Sequence, residues 1–446
     1  MQYLSTRDSA LRVSAQEAIV RGLAPQSGLF VPETFPQADL DAWKNLSYPE
    51  LAEKVLAGFL TDYSADFLHT ATASTYGAAF GGKAGETVKV RDGLYSLELW
   101  HGPTCAFKDY ALQLMPKLLV EAKKMLGRTE TTRILVATSG DTGKAALAGY
   151  ADLDGIEIEV FYPNDGTSEI QHLQMATQKG ENVQVYAVQG NFDDAQTGVK
   201  KVFADADVAA ELEKRGIRLS SANSINWGRL VPQIVYYFYA YFRLAEQGAV
   251  EWGKPVDFCV PTGNFGDILA GYYAKQMGLP VGRLVCASNK NNVLTDFLRT
   301  GTYDARRTFY KTTSPSMDIL ISSNLERLLY HVSGSSEKVA GWMQELSATG
   351  KYTVDAETLA KIQQSFAAGY ADDADGAAEI KARFDGDHYL CDTHTAVAFH
   401  VAAQKKRQGV PMVVLSTASP FKFPRSVLSA LGKAAPENDF EAMQQL

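Results

Sequence analysis

Short apolar segments, several of which run into a glycine-rich loop and then a helical pattern, recur along this chain and constrain its fold more than any other feature. They lie at residues 134–137, 156–162, 183–188, 256–260, 283–288 and 412–415. Apolar strands that alternate with helices are typical of parallel sheets with helices on both faces. Ligands of such folds bind outside the carboxyl ends of the strands. The sequence therefore predicts an α/β fold with its binding site in the loops that follow the strands.

Composition excludes several classes of protein. The net charge of −8 argues against a nucleic-acid or anionic-membrane surface. No basic region followed by an apolar one opens the chain, and no apolar segment is long enough to span a bilayer. The cysteines form no CxxC pair, which favours a reducing compartment. We therefore expect a cytoplasmic protein without nucleic-acid or membrane partners. The histidines form no HxxxH or HExxH pattern, so no metal site is expected.

Residues 101–113 (HGPTCAFKDYALQ) place Lys108 where a strand-like segment gives way to a helical pattern. The positive end of a helix dipole repels an ammonium. That field, with Phe107 and Tyr110 nearby, favours the neutral amine that a Schiff-base lysine needs. The alternative is an ordinary exposed lysine in a loop. The flanking residues favour the reactive amine.

The same stretch resembles the cofactor-lysine motif of threonine synthases, which are pyridoxal-phosphate (PLP) enzymes of fold type II. The resemblance extends over nearly the whole chain, through residues 3–7 (YLSTR), 26–30 (QSGLF), 139–143 (SGDTG), 223–229 (NSINWGR), 261–267 (PTGNFGD) and 416–419 (STAS). It implies a tryptophan synthase β-like fold of parallel sheets flanked by helices, with a small N-terminal α/β domain. It also implies a catalytic Lys108 that holds PLP as a Schiff base.

The domain division follows from these patterns and the length, which predicts about three domains. Residues 1–90 are expected to form the N-terminal threonine-synthase-type domain, with helices that begin after Ser14 and Ser47. Residues 91–446 would form the PLP-binding region, whose smaller subdomain spans about 100–200 and larger subdomain about 201–446. Within the latter, residues 356–370 are predicted as a helix, and the acidic residues 372–375 as a solvated turn.

A glycine loop at residues 263–266 follows one apolar segment and precedes a helix, so its N–H groups can converge on an anion. A tight turn is the alternative. The resemblance assigns this loop to the PLP phosphate. The residues concerned are Gly263, Asn264, Phe265, Gly266 and Asp267.

Two polar segments are candidates for the substrate. The first, at residues 139–143, does not fit a nucleotide P-loop, because Ala145 follows Lys144 where Ser or Thr is required. A hydroxyl-rich loop at a helix start can instead bind a carboxylate or phosphate. The second, at residues 223–229, is a cluster of neutral donors that ends in an arginine, and arginine can pair bidentately with phosphate. The alternative is that the cluster is only a turn, as is common for such clusters. The substrate candidates are Ser139, Asp141, Thr142, Asn223, Ser224 and Arg229; the part played by the Asp141 carboxylate stays open.

Thr417 ends the last apolar segment, and the resemblance places its hydroxyl at the pyridine nitrogen of PLP. A hydroxyl, unlike a carboxylate, does not force that nitrogen to stay protonated. The alternative is a strand-end threonine that satisfies its own backbone. Ser419 and Lys422 are assigned no role.

Taken together, the resemblance implies a lyase that converts O-phospho-L-homoserine and water to L-threonine and phosphate, the last step of threonine biosynthesis. The substrate is a small molecule, and both a monomer and a homodimer are open. Two alternatives remain. One is a sibling PLP enzyme such as a threonine or serine dehydratase, which has no need for Arg229. The other is a non-catalytic small-molecule binding protein on the same fold.

Overall fold

The structure, a computed structural model, describes residues 1–138, 140–164, 167–190 and 192–446, with the side chains of residues 192, 193, 200 and 204 left out. Its strands are β1 (Tyr3–Ser5), β2 (Asp8–Val13), β3 (Phe30–Pro32), β4 (Glu86–Arg91), β5 (Leu94–Glu98), β6 (Thr131–Ala137), β7 (Ile156–Pro163), β8 (Val183–Val188), β9 (Ile217–Ser220), β10 (Val256–Pro261), β11 (Val281–Ser288), β12 (Thr302–Asp304), β13 (Lys351–Thr353), β14 (Phe366–Tyr370) and β15 (Met412–Ser416).

The α-helices are α1 (Ala15–Arg21), α2 (Leu40–Trp43), α3 (Tyr48–Phe59), α4 (Ala65–Tyr76), α5 (Asp109–Leu112), α6 (Met115–Met125), α7 (Asp141–Tyr150), α8 (Glu169–Ala176), α9 (Phe192–Ala204), α10 (Ala206–Lys214), α11 (Trp227–Leu230), α12 (Ile234–Glu246), α13 (Gly266–Gln276), α14 (Val293–Thr300), α15 (Leu325–Ser333), α16 (Ser336–Thr349), α17 (Ala356–Ser365), α18 (Asp373–Asp387), α19 (Thr393–Lys405), α20 (Pro424–Ala430) and α21 (Asp439–Gln444). Short 3₁₀ helices occupy Pro25–Ser27, Ala78–Phe80, Val231–Gln233, Pro315–Met317 and Pro420–Lys422.

Two sheets position the loops of interest. The large sheet has the order β14-β11-β10-β15-β5-β4, and the small sheet has the order β8-β7-β6-β9. Every neighbouring pair in them is parallel except β4 and β5, which are antiparallel. The carboxyl ends of parallel strands meet at one edge of a sheet, so the loops after β5, β10 and β15 share one edge of the large sheet.

Both sheets bury side chains on two faces. Along β15, Val413 and Leu415 join one apolar core while Met412 and Val414 join another, which includes residues of α19. The same alternation separates the core residues of β6, one set of which packs with α9. Such two-sided burial explains why these strands read as near-continuous apolar runs. The prediction of parallel sheets flanked by helices is confirmed.

The C-terminal half differs from the sequence prediction in two places. The predicted helix at 356–370 ends at Ser365, and Phe366–Tyr370 forms β14, which pairs with β11 at the edge of the large sheet. Gly369 lets α19 approach, because a Cβ there would lie 2.7 Å from Val401 Cγ1. Tertiary packing has overridden the helix propensity of the alanines in this segment. The predicted turn at 372–375 is instead the start of α18, capped by Asp372.

The N-terminal region contacts the rest of the chain through a buried arginine. Arg327 in α15 donates hydrogen bonds to the carbonyl oxygens of Phe30 (2.9 Å) and Ile225 (2.6 Å) and to Asn324 Oδ1. The arginine side chain is fully buried. It therefore links β3 to the polar segment at residues 223–229.

Among the described residues, no helix is both long enough and apolar enough to cross a membrane.

Candidate active site

Lys108 lies between the end of β5 and the start of α5, and two contacts fix the loop that carries it. The Phe107 N–H donates to the Thr417 carbonyl over 2.9 Å, and Ala106 forms an antiparallel bridge with Ala418. The lysine is 9% exposed, and its Nζ lies 4.9 Å from the centre of the Phe107 ring. Burial lowers the pKa of Lys108, because a buried ammonium loses its hydration. The amine is thus shielded and its pKa is lowered, in the direction expected from the sequence, but burial and not a helix dipole is the main cause.

Asp141 begins α7 and lies between two lysines. Its Oδ2 is 3.8 Å from Lys108 Nζ, and its Oδ1 is 2.8 Å from Lys422 Nζ and accepts a 2.9 Å hydrogen bond from Gln171 Nε2. Burial alone would raise the pKa of this carboxyl, but the two lysines and these hydrogen bonds hold it well below its usual value. Asp141 is therefore a carboxylate that faces Lys108.

No role was expected for Lys422, yet its side chain is only 2% exposed and lies beside this carboxylate. Its partners come from α7, from the lysine loop and from α8, so no local motif announces it. The one signal in the sequence is its position directly between two phenylalanines, Phe421 and Phe423, just after a buried strand. A lysine in an apolar setting of that kind is a candidate for burial.

The glycine loop follows β10 and leads into α13, as predicted. Phe265 has a left-handed backbone with φ of 64°, and a Cβ on Gly263 would lie 2.8 Å from the Ser316 carbonyl oxygen. The carbonyl oxygens of Gly263 and Asn264 accept hydrogen bonds from the segment that precedes α15. The N–H groups of residues 263–266 donate to no other described residue. The loop thus offers unused donors at the positive end of a helix, which suits an anion.

Asp267, in the first turn of α13, is a buried carboxyl with one unused oxygen. Its Oδ1 accepts hydrogen bonds from the hydroxyls of Tyr236 (2.6 Å) and Tyr237 (3.1 Å). Its Oδ2 is buried and has no partner among the described residues. Burial raises the pKa of Asp267 to about 7, against the opposing effect of the tyrosine hydroxyls and Lys108. The group can therefore hold a proton near neutral pH.

Arg229, on α11, is a second buried polar group with an unused atom. One of its terminal nitrogens donates to the Ala222 carbonyl, while its Nε is buried without a partner among the described residues. Burial lowers its pKa to about 10, so it stays charged at neutral pH. Its charge acts on Lys108 and lowers the pKa of that amine. A buried guanidinium with an unpaired N–H matches the geometry that phosphate recognition uses.

The remaining predicted residues are placed as follows. Ser224 is joined to the glycine loop through Asn324, whose Nδ2 lies 3.2 Å from Ser224 Oγ and 3.1 Å from the Asn264 carbonyl oxygen. Thr417 is buried beside the lysine loop. Thr142 and Asn223 are half-buried. Ser139 lies outside the described residues.

The segment before α15 was missed as part of the site. It supplies Ser322 and Asn324, which hold the glycine loop through the Gly263 and Asn264 carbonyl oxygens. A segment rich in serine, threonine and asparagine is typical of a surface loop. Here this segment covers the glycine loop.

The donor set fits pyridoxal phosphate. A buried amine, unused N–H groups at a helix start and a buried carboxyl with a free oxygen lie around the loops after β5 and β10. An aldehyde can bond to the amine, and a phosphate can accept from the N–H groups. Among the described residues no group of three or more potential metal ligands occurs.

Comparison with known proteins gives consistent results along the chain. A family model described as "Threonine synthase N terminus" matches residues 2–76, one described as "Pyridoxal-phosphate dependent enzyme" matches residues 84–417, and one described as "Threonine synthase, C-terminal" matches residues 395–446. A threonine synthase of Pseudomonas aeruginosa is 40% identical over 97% of this chain and 91% of its own length. The human protein named threonine synthase-like 1 is 39% identical over 96% of this chain, which spans 60% of that relative's length.

Solved structures agree. The PLP-bound threonine synthase of Brucella melitensis superposes with a TM-score of 0.91 at 39% identity, covering 100% of this chain and 94% of the other. The yeast threonine synthase gives a TM-score of 0.89 at 35% identity, again covering 100% of this chain and 94% of the other. These similarities extend through both sheets and the N-terminal region.

Proposed function

This chain belongs to the threonine synthase family of pyridoxal-phosphate-dependent enzymes, and from that premise we propose that it converts O-phospho-L-homoserine and water to L-threonine and phosphate. This reaction would be the last step of threonine biosynthesis. The observation that carries the proposal is the buried Lys108 amine, set 3.8 Å from the Asp141 carboxylate, beside a glycine loop with unused N–H groups. Threonine synthesis needs a reactive amine, a phosphate-binding cofactor loop and a second phosphate grip, and each has a candidate here.

The cofactor would be held by Lys108 and by the loop into α13. Lys108 would bond covalently to its aldehyde, while the N–H groups of residues 263–266 would hold its phosphate. Asp267, protonated on its free Oδ2, can donate a hydrogen bond towards that anion. When bound, pyridoxal phosphate supplies an electron-poor ring that takes up negative charge from the substrate carbon. Thr417 would offer the ring nitrogen a neutral hydroxyl.

Lys108 would also move protons. In the proposed reaction the neutral Lys108 amine would take a proton from Cα of the substrate and would later act at Cβ. Its low exposure shields it from bulk water, and burial lowers its pKa, which favours the neutral amine. Phosphate would leave from Cγ, the proton taken from Cβ would be returned at Cγ to form the methyl group, and water would add at Cβ to give threonine.

Arg229 would bind the substrate phosphate, because its planar, charged guanidinium with an unpaired Nε can donate bidentate hydrogen bonds to phosphate. Asn223 and Ser224 would add neutral donors to the same group. Ser139, Asp141 and Thr142 would bind the substrate from the start of α7, as the resemblance suggests. Phosphate is also a product, so the same residues would bind the phosphate group of the substrate before the reaction and free phosphate after it.

The setting of the enzyme is part of the same proposal. We place it in the cytoplasm, with a small-molecule substrate and as a monomer or homodimer, in accord with its charge and cysteine pattern. We divide it into residues 1–90, a smaller subdomain of about 100–200 and a larger one of about 201–446.

The test is the purified chain supplied with pyridoxal phosphate and O-phospho-L-homoserine. We expect visible absorbance from the bound cofactor, a change in that spectrum on adding substrate, and release of inorganic phosphate and threonine in equal amounts. A dehydratase would release no phosphate from this substrate and would deaminate threonine or serine instead. A binding protein without catalysis would lack the visible absorbance of a covalently held cofactor.

A further inference from the structure

Lys422 lies beside Asp141, and the proposed reaction leaves it without a task. Its side chain is 2% exposed, and its ammonium contacts acceptors on three separate parts of the chain. Nζ lies 2.8 Å from Asp141 Oδ1, 2.9 Å from the Thr104 carbonyl oxygen and 3.1 Å from Gln174 Oε1. An ammonium has three N–H donors, and each of them has an acceptor here. A buried charge with so complete a set of partners is fixed in place.

This placement decides how strongly Asp141 can act on Lys108. A lone buried carboxylate next to a lysine would pair with it and favour its charged form. Asp141 instead makes its close ion pair with Lys422, at 2.8 Å, and stays 3.8 Å from Lys108, beyond hydrogen-bond distance. Lys108 therefore faces a carboxylate whose charge is already matched.

We propose that Lys422 is a positioning residue that holds the Asp141 carboxylate away from Lys108 and matches its charge, so that the Lys108 amine is free to lose its proton. The inference rests on the role of Lys108 in the proposed function. Lys422 acts through Asp141 and by its own charge, and it is assigned no contact with cofactor or substrate.

The other charges around Lys108 are consistent with this arrangement. Burial is the largest influence on its pKa and lowers it. Asp141 raises it, Arg229 and Lys422 lower it, and Asp267 raises it. Removing the positive charge of Lys422 would thus leave Asp141 unmatched and favour the protonated amine of Lys108.

The experiment measures the protonation of Lys108 directly in the full-length chain freed of cofactor. Limiting acetic anhydride labels unprotonated amines, and mass spectrometry of the Lys108 peptide across a pH series gives the midpoint of labelling. Lys422→Met should raise this midpoint by about one pH unit or more, which is a tenfold loss of unprotonated Lys108 at a fixed pH. Lys422→Arg keeps the charge and should leave the midpoint close to that of the parent.

A double variant that neutralises both Asp141 and Lys422 distinguishes positioning of the Asp141 carboxylate from a general contribution to the stability of the fold. In the double variant Asp141→Asn/Lys422→Met both charges vanish together, so the midpoint should return to within about half a pH unit of the parent. Damage to the loop alone would not be repaired by the second substitution. An unchanged midpoint in Lys422→Met, or a raised one that the double variant fails to restore, would overturn the proposal.

If Lys422→Met does not fold, Asp141→Asn and the double variant still decide the question. Asp141→Asn leaves Lys422 unmatched, so the labelling midpoint of Lys108 should fall, and the double variant should bring it back up. Identical midpoints in the two would contradict the proposal. None of these readings depends on threonine synthesis, so failure of the proposed function and failure of this inference can be told apart.

Discussion

The backbone N–H of Phe107 donates a 2.9 Å hydrogen bond to the carbonyl oxygen of Thr417, so the loop of Lys108 is bonded directly to the segment that follows β15. This hydrogen bond joins two loops from distant parts of the sequence. Each loop carries a residue assigned to the cofactor, Lys108 in one and Thr417 in the other. The side chain of Thr417 is buried at this junction. Substitutions there probe the cofactor without disturbing the backbone contact.

Thr417→Asp should alter the chemistry of the bound cofactor. A carboxylate at the ring nitrogen would favour its protonated form, because an opposite charge stabilises the charged state. The ring would then withdraw electrons more strongly, and charge on the substrate carbon would persist. We expect a new long-wavelength absorbance band during turnover and slow formation of pyridoxamine phosphate. Thr417→Ser keeps the hydroxyl and should change little. Clean turnover of the Asp variant at the parent rate, with the parent spectrum, would remove Thr417 from the site.

Lys108→Ala should abolish turnover and the covalent bond to the cofactor while leaving the fold intact. Borohydride reduction followed by peptide mass spectrometry detects the bond. Lys361→Ala, which changes an exposed lysine on α17, is the matched control and should behave as the parent. A reducible cofactor bond that survives in Lys108→Ala would show that another amine carries it.

Arg229→Ala should weaken binding of O-phospho-L-homoserine more than binding of pyridoxal phosphate. A hydrogen bond to a charged group contributes about 1.5–3 kcal/mol, which corresponds to about 10- to 150-fold in affinity. Titration calorimetry or spectral titration measures both ligands. Arg229→Lys keeps the charge without the planar fork and should fall between parent and Ala. Equal weakening of both ligands would reassign the arginine to the cofactor or the fold.

Asp267→Asn should change the pH dependence of stability in the cofactor-free chain. The pKa of Asp267 is about 7 in the folded state, above its unfolded value of about 4, so the folded chain binds more protons between these values. Its contribution to the free energy of unfolding therefore falls as pH rises through that window, by up to about 4 kcal/mol. Asn cannot titrate and still accepts from the tyrosine hydroxyls.

Denaturant unfolding at pH 5 and pH 8 tests this effect, with the parent and Asp267→Asn compared at each pH. Asp109 has a pKa raised to about 6 by burial and titrates in the same window, but it is present in both chains and cancels in the difference. The free energy of unfolding of Asp267→Asn should increase relative to that of the parent as pH rises. Parallel curves for the two chains would mean that Asp267 stays ionised throughout.

Arg327→Met should lower the free energy of unfolding by about 3 kcal/mol or more, since it removes several buried hydrogen bonds from a charged group. Substrate binding should weaken as well, because Ile225 lies in the segment of Arg229. Arg306→Met, at an exposed ion pair, is the control and should leave the unfolding midpoint nearly unchanged. A small loss in Arg327→Met would show that packing alone holds the N-terminal region.

Local patterns were enough to find those parts of the site that are written in one stretch of sequence. The Lys108 stretch and the loop at residues 263–266 each combine a strand, a break and a helix start, and both occur in the structure as expected. The helix caps at Ser14 and Ser47 were likewise local signals and are present. Which of these residues bind cofactor or substrate stays a prediction.

Features that depend on distant partners were not found from the sequence. Lys422 contacts Thr104, which lies 318 residues away along the chain. Asn324 contacts Ser224 over 100 residues, and neither asparagine nor lysine announces such a partner by its neighbours. The strand at Phe366–Tyr370 was mistaken for helix because its pairing with β11 and its contact with α19 are invisible in the local pattern.

The bridge between Ala106 and Ala418 has a consequence for how this protein comes into being. At about 5–20 residues per second on the ribosome, the lysine loop is made about 15 to 60 seconds before Ala418. Until then the lysine loop lacks the Phe107–Thr417 hydrogen bond and the Ala106–Ala418 bridge that hold it in place. Under the proposed role of Lys108, capture of the aldehyde cofactor is expected only near the end of synthesis. A chain cut short before residue 418 is then expected to carry every residue of the loop and still fail to retain the cofactor.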